Sequence, residues 1–272
     1  MPDMAGASVI VRCKNEIDAI EHCLTLVRDQ DEAVELIVVD SGSTDGSLEV
    51  ARRYADRVIE IAPEAFTFGG ALNAGARAAS SDVHVALSAH CFPQRRDWIG
   101  RALDHYADPA VAGTFGVRTR PGGGVLEEAW TCRAPEALAD PYWGFTNHAS
   151  SWRAAIWEQY RFDETIEACE DREWSWRVLR DGHALVADPL LWVSAGHRRG
   201  AGLRALFRRT RREARALASL HERAAYSTRE ALRDWWSDLP PGSAHPDALR
   251  RLNPPRAVEI AARLVGEHDA RA

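Results

Sequence analysis

The 272-residue chain has five cysteines, at positions 13, 23, 91, 132 and 169, and none stands in C-x-x-C spacing. That excludes the usual thiolate zinc pattern and gives no disulfide framework, so reduced thiols are expected. No run of eighteen apolar residues occurs, and the opening MPDMAGASVIVRCKNE lacks a basic segment ahead of a long apolar one. The expectation is a cytoplasmic chain, neither exported by a signal peptide nor membrane-spanning. An excess of positive charge is also missing. Thirty-four basic against forty acidic residues leave a net charge of -6, which argues against a dedicated nucleic-acid binder. No internal repeat or low-complexity tract interrupts the chain. RCKNEIDA, after the first strand, contains no glycine, which speaks against a nucleotidyltransferase loop.

What is present alternates. ASVIVRC, VELIVVD, RVIEIA and VHVALSA have strand character, and helical patterns over 17–29, 46–55 and 70–80 separate them. Strands spaced by helices predict an α/β fold: a mainly parallel central sheet flanked by helices, Rossmann-like, with its working rim at the carboxyl ends of the strands. Near-continuous β-branched runs such as LIVV suit strands covered on both faces. After about residue 110 a Gly-rich turn, RTRPGGGV, precedes a region with Trp130, Trp143, Trp152, Trp157, Trp174, Trp176 and Trp192. The turn is given no role. From residue 198 the composition changes again. Leu203, Leu206, Phe207, Thr210, Ala214, Leu217 and Leu220 fall at helical spacing against an arginine-dense face. This is read as a solvated amphipathic helix, with contact to anionic lipid through 198–223 and a dimer face as the alternatives. The expected division is a nucleotide-binding domain over 1–200 and a helical extension over 201–272.

Three segments could carry chemistry. VVDSGSTDGS ends a buried strand at Asp40, and Asp45 stands where a cap would open the next helix. A carboxylate there can accept a ribose hydroxyl, and small turn residues such as Ser43 let a nucleotide approach; an ordinary strand–turn–helix joint would look the same. Lys14-Asn15-Glu16 follows the first strand, and FGGALNAGARAA places Asn73 and Gly75 in a helix. Glu170-Asp171 opens a helix, where acids are favoured by the helix dipole whatever their function. Along that helix Glu170, Trp174 and Arg177 share a face, and Asp171 is turned about 100° from it.

With FTNHASSWRAAIWE and FDETIEACEDREWSWRVLRDGH, these pieces make residues 7–197 resemble the family 2 glycosyltransferases of the GT-A fold. That family consists of inverting enzymes that use nucleotide-sugar donors. The DSGSTDG and FGGALNAG forms are similar to its rhamnosyltransferase-like branch. The resemblance implies that Glu16, Asp40 and Ser43 hold the base and ribose, with Asn73, Ser88 and Ala89 beside the nucleotide. It implies that Asp171 is the general base toward an acceptor hydroxyl. Trp143, Asn147, His148, Arg153 and Glu170 become acceptor-side candidates, whereas Trp152 and Trp157 are expected in the core. Family members usually end the fourth strand in Asp-x-Asp, which helps bind a divalent metal; this chain has Ser88-Ala89-His90. His90 with His197 could hold Mn²⁺, better suited to imidazole than Mg²⁺. Alternatively Arg198, Arg199 or protonated histidines neutralise the diphosphate, or His90 is structural. The expected function is hexosyl transfer from a UDP- or dTDP-sugar to a carbohydrate or other hydroxyl acceptor, as in polysaccharide biosynthesis. The alternative is a nucleotide-sugar-binding or scaffolding protein without catalysis.

Overall fold

The computed structural model describes residues 6–195, 202–221, 227–231 and 254–271. The chain divides into two compact units, one of Met1–Ile166 with Glu170–His197, the other of Glu167–Cys169 with Arg198–Ala272.

In the first unit, β1 (Ala7–Cys13), β2 (Val34–Asp40), β3 (Arg57–Glu60) and β4 (Val83–Ser88) pair in parallel in the order β3-β2-β1-β4. Helices α1 (Ile20–Arg28), α2 (Ser47–Tyr54) and α3 (Phe68–Ala78) connect them. The sheet continues through β8 (Ala149–Arg153), β6 (Val111–Gly116), β9 (Ala184–Asp188) and β7 (Trp130–Cys132). β8 runs antiparallel to β4 and β6, and β7 antiparallel to β9. Six of the eight strands therefore share one direction, and the sheet is mixed though mostly parallel. Short strands β5 (Cys91–Pro93) and β10 (Val193–Ala195) pair separately. The remaining helices of this unit are α4 (Trp98–Asp104), α5 (Ala134–Ala139), α6 (Ala154–Gln159) and α7 (Glu170–Arg180).

Side-chain alternation along β1 explains why both faces are covered. Val9, Val11 and Cys13 join a buried cluster with Ile20, Cys23, Leu24 and Val27 of α1. Ile10 points the other way, against α3. There Gly75 is required by contact, because a Cβ at that position would lie 2.3 Å from Ile10 Cγ2. Trp152 and Trp157 are buried as expected, and Trp152 packs on Phe162 at a ring distance of 5.1 Å; Trp174, also fully buried, joins them at 5.6 Å from Phe162.

The second unit contains α8 (Leu203–Leu220) and α9 (Pro254–Asp269). Gly266 sits so close to the Arg211 carbonyl that a Cβ would meet it at 2.3 Å, and Arg211 pairs with Asp269 at 2.6 Å. Of the apolar stripe expected along α8, Ala214 and Leu217 are buried, while Leu203 is 45% exposed. No helix among the described residues is long and apolar enough to cross a membrane.

Candidate functional site

Register alignment brings the strand ends to one rim. Cys13 is opposite Asp40, Arg12 opposite Ser88, and Leu87 opposite Ala149. The loops after β1 and β2 are tied to each other there. Ser43 Oγ accepts from the Asn15 N–H at 2.9 Å, and Asn15 Oδ1 from the Thr44 N–H at 2.8 Å. Asp45 accepts from Ile17 N–H at 3.0 Å, and Ser47 Oγ from Glu16 N–H at 2.8 Å. Asn15 adopts a left-handed φ of 52°, which asparagine tolerates better than most residues, and Gly42 supplies the turn at φ 86°. The carboxylate of Asp40 is 1% exposed and accepts from Gly42 N–H, Ser43 N–H and Ser43 Oγ. Its bonds lie within its own turn. Burial, and then Asp40, push the neighbouring Cys13 thiol up to about 12, so it is no nucleophile near neutral pH.

Glu16 turns its carboxylate onto His90, with Oε1 and Nδ1 2.8 Å apart. A carboxylate behind an imidazole fixes the ring and is the outer-shell pairing of metal-binding histidines. His90 therefore fits a borderline ion such as Mn²⁺ better than a hard, all-oxygen site. Among the described residues, no three His, Cys, Asp or Glu side chains gather as a cage. The protein alone does not enclose an ion in that part. His197, Arg198 and Arg199 lie outside the described residues.

The acid pair opens α7 directly after Cys169, which takes a left-handed φ of 66°. Glu170 is buried at 5% exposure. Burial, and then the adjacent Asp171 charge, raise its pKa to about 7, against an opposing pull from Arg12. Arg12 Nη1 is 3.5 Å from Glu170 Oε1, and Arg12 Nη2 donates to the Asn147 carbonyl at 2.9 Å. The N–H of Asn147 in turn donates to Asp171 Oδ2 at 3.1 Å, while Asp171 Oδ1 accepts from the Arg172 N–H at 2.8 Å. Asn147 Nδ2 faces Glu170 at 3.4 Å. Asp171 is the more exposed acid of the two, at 19% of its side chain against 6%. Arg12 was missed by sequence reasoning. Its signal was a single charge inside an otherwise apolar strand, VIVRC.

Other candidates are distributed differently. The Ser88 N–H meets the His148 carbonyl at 3.3 Å and the Ala89 N–H meets the Arg12 carbonyl at 3.0 Å, so this turn is stitched into the rim. His148 is exposed there, with Nδ1 2.6 Å from Thr146 Oγ1. Asn73 is buried in the body of the unit. Its amide donates to Phe162 O and Glu164 Oε1, both at 2.8 Å, and accepts from Trp157 Nε1 at 2.9 Å and Phe162 N–H at 3.2 Å. All four of its hydrogen-bonding positions are filled by protein. Trp143 is also buried, packed on Phe115 and Trp130, with Nε1 donating to the Thr119 carbonyl at 2.7 Å. Arg153 is not brought to the rim at all. β8 runs backwards relative to β4, so Arg153 lies opposite Val83 at the far end and bonds to the carbonyls of Tyr106, Asp108 and Val111.

Residues 8–172 match the profile of glycosyl transferase family 2. The glycosyltransferase AglE of Haloferax volcanii is 31% identical over 132 residues, covering 45% of this chain and 43% of that protein. The O-antigen chain rhamnosyltransferase WbaN of Salmonella anatum is 34% identical over 83 residues, 30% of this chain and 26% of that protein. The chain thus spans less than half the length of these relatives, and its likeness to a rhamnosyltransferase is confined to one short stretch. Among solved structures, the mannosyltransferase of Pyrobaculum calidifontis in complex with GDP-Man and Mn²⁺ superposes with a TM-score of 0.72 at 22% identity, over 99% of this chain and 88% of that one. That likeness is one of fold, and it makes the mixed sheet GT-A-like. With the profile spanning more than half of its length, the chain belongs to glycosyl transferase family 2.

Proposed function

We propose that the chain transfers a sugar from a nucleoside-diphosphate sugar to a hydroxyl acceptor with inversion, and that Asp171 is the general base. One observation carries this reading. The Asp171 carboxylate is partly exposed and oriented by two backbone N–H groups, beside the rim to which the strand ends converge. Family membership supports it. Asp171 takes the proton from the acceptor hydroxyl as that oxygen bonds to the anomeric carbon. The bond from that carbon to the diphosphate oxygen breaks on the opposite side, and the nucleoside diphosphate leaves with the electron pair. Glu16, Asp40 and Ser43, with Ser88 and Ala89 beside them, form the donor side, for a UDP- or dTDP-sugar; Asn73, its amide wholly engaged by protein, stands behind the site as a structural residue. Asn147, His148 and Glu170 are the acceptor-side set, with Glu170 and Asn147 acting through Asp171. His90 and His197 would hold a divalent ion, Mn²⁺ ahead of Mg²⁺, whose chemistry is to neutralise charge on the diphosphate. Residues 1–200 form the catalytic domain and 201–272 a helical extension; cytoplasmic placement, lipid contact through 198–223 and a homodimer through α8 belong to the same reading.

Asp171→Asn tests the proposal. Transfer is expected to fall by at least 10²-fold or so, while calorimetric binding of UDP, dTDP or GDP in Mn²⁺ is retained. Full activity in that variant removes Asp171 as the base. The replacement of Asp-x-Asp by Ser88-Ala89-His90 favours a second reading, a nucleotide-sugar-binding protein without catalysis. Nucleotide binding with neither donor hydrolysis nor transfer across a broad acceptor panel would select it.

A further inference from the structure

Arg12 sits on β1, Asn147 in the loop before β8, and Glu170 and Asp171 at the start of α7, far apart in sequence and joined at one point. We propose that Arg12 is a positioning residue for Asp171: its guanidinium holds the Asn147 peptide whose N–H orients the Asp171 carboxylate, and it balances the neighbouring Glu170. The inference rests on Asp171 being the base.

Asn147 is held from several sides. Arg12 Nη2 fixes its carbonyl at 2.9 Å, and Ser150 Oγ donates to its Oδ1 at 3.1 Å. Its Nδ2 faces Glu170 Oε1 at 3.4 Å, and its N–H reaches Asp171 Oδ2 at 3.1 Å. Arg172 braces the same loop from α7 by donating to the carbonyls of Phe145 and Tyr142. The charged groups that meet at this point are Arg12, Glu170, Asp171 and Arg172, the last 4.0 Å from Asp171. Phe68 of α3 lies 5.9 Å from the Arg12 guanidinium and contributes a ring face but no ionisable group. Arg12 Nε has no hydrogen-bond partner among the described residues. Its retention in a buried strand therefore depends on what the two Nη groups do. A guanidinium fork serves a carbonyl and a carboxylate at once, which an ammonium does less well.

The test uses the full chain and the variants Arg12→Met, Arg12→Lys, Arg12→Met/Glu170→Gln and Asp171→Asn. Hydrolysis of UDP-glucose, dTDP-glucose and GDP-mannose is followed in Mn²⁺ from pH 5 to 9, and UDP, dTDP and GDP affinities are measured by calorimetry. Arg12→Met is expected to lower kcat on the order of 10²-fold, the scale of a misplaced catalytic group, with nucleotide affinity within about twofold. Arg12→Lys should recover part of the loss. The double variant should not recover it, because removing the Glu170 charge leaves the Asn147 carbonyl unheld. An unchanged kcat in Arg12→Met, a parallel loss of nucleotide affinity, or full rescue by Glu170→Gln would each overturn the inference. Full activity of Asp171→Asn would instead overturn the assignment of the base. A reading without substrate comes from carbon-13 carboxyl titrations, assigned with Asp171→Asn and Glu170→Gln. Arg12→Met, or Arg12→Lys where the former does not fold, should move the midpoints of these two acids and leave other carboxylates in place. Unmoved midpoints count against the inference.

Discussion

The loops after β1 and β2 and the entrance to α7 stand at the same rim but treat their charges in opposite ways. In the first region Asp40 and Asp45 are given donors. Asp40 is closed into its own turn, and Asp45, although burial opposes it, is held below the usual carboxylate range by bonds from Ser47 and the Ile17 N–H. In the second, Glu170 is pushed upward by burial and by Asp171, with Arg12 as a partial counterweight. A region whose loops are tied to each other by matched hydrogen bonds is preorganised. A region where a buried acid is crowded by an adjacent one carries a raised pKa, a feature that clusters at reacting sites. The difference supports placing the nucleotide against the first and proton transfer at the second.

The largest way to break the comparison is to remove what lies behind the second region. Asn73 bonds the 162–164 segment that leads to α7 and also accepts from Trp157. Asn73→Ala leaves the buried Trp157 N–H and both polar groups of the Phe162 backbone without this partner. We expect a loss of about 3 kcal/mol or more, measured as a lower urea midpoint at unchanged slope. A loss under about 1 kcal/mol would show that Asn73 is not the anchor.

Glu170→Gln sharpens the comparison through pH. The native pKa of Glu170, about 7, lies above its ordinary value of 4.5. The folded protein therefore binds more protons than the unfolded chain between these values. The stability this contributes is complete below about 4.5 and is lost as pH rises through about 7. Relative to wild type, the glutamine variant should gain stability over that window, by roughly 1 to 3 kcal/mol, and the gain should level off above it. Equal slopes for the two proteins in denaturation at pH 5, 6, 7 and 8 would contradict a raised Glu170.

The first half of the fold was legible because its signals are local. The strands over 7–13, 34–40 and 83–88 lie where alternation and β-branched runs placed them. Helices α1 and α3 differ from expectation by two or three residues at an end, since Asn15–Ala19 form a bonded turn before α1 and Thr67 caps α3 two residues early. Strand direction in the second half was not legible. Nothing in ASSWR tells that it pairs antiparallel with β4, and this reversal is what sends Arg153 to the far end of the sheet. Asn73 and Glu16 illustrate a related limit. Sequence shows a polar residue at the right place in a motif, but the partner that takes its side chain, Phe162 in one case and His90 in the other, is 89 or 74 residues away. Arg12 was hidden for the same reason, since each of its partners arrives from another element.

Ser43→Ala probes the first region, with the smallest effect. The hydroxyl donates to Asp40 and accepts the Asn15 N–H, so its removal opens one tie between the two loops and takes one donor from a buried carboxylate. Asp40 still keeps the Gly42 and Ser43 N–H groups, and Asn15 is exposed enough for water to replace the hydroxyl. The loss should therefore be near 1 kcal/mol, the net value of one such bond. Nucleotide affinity is the second readout. A rim preorganised by these ties should weaken toward UDP, dTDP or GDP when one is opened, as the bound arrangement then has to be ordered on binding. Unchanged stability and unchanged affinity together would mean that the cross-tied loops hold their shape without Ser43, leaving Asn15 with Thr44 and Asp45 with Ile17 as the bonds that set it.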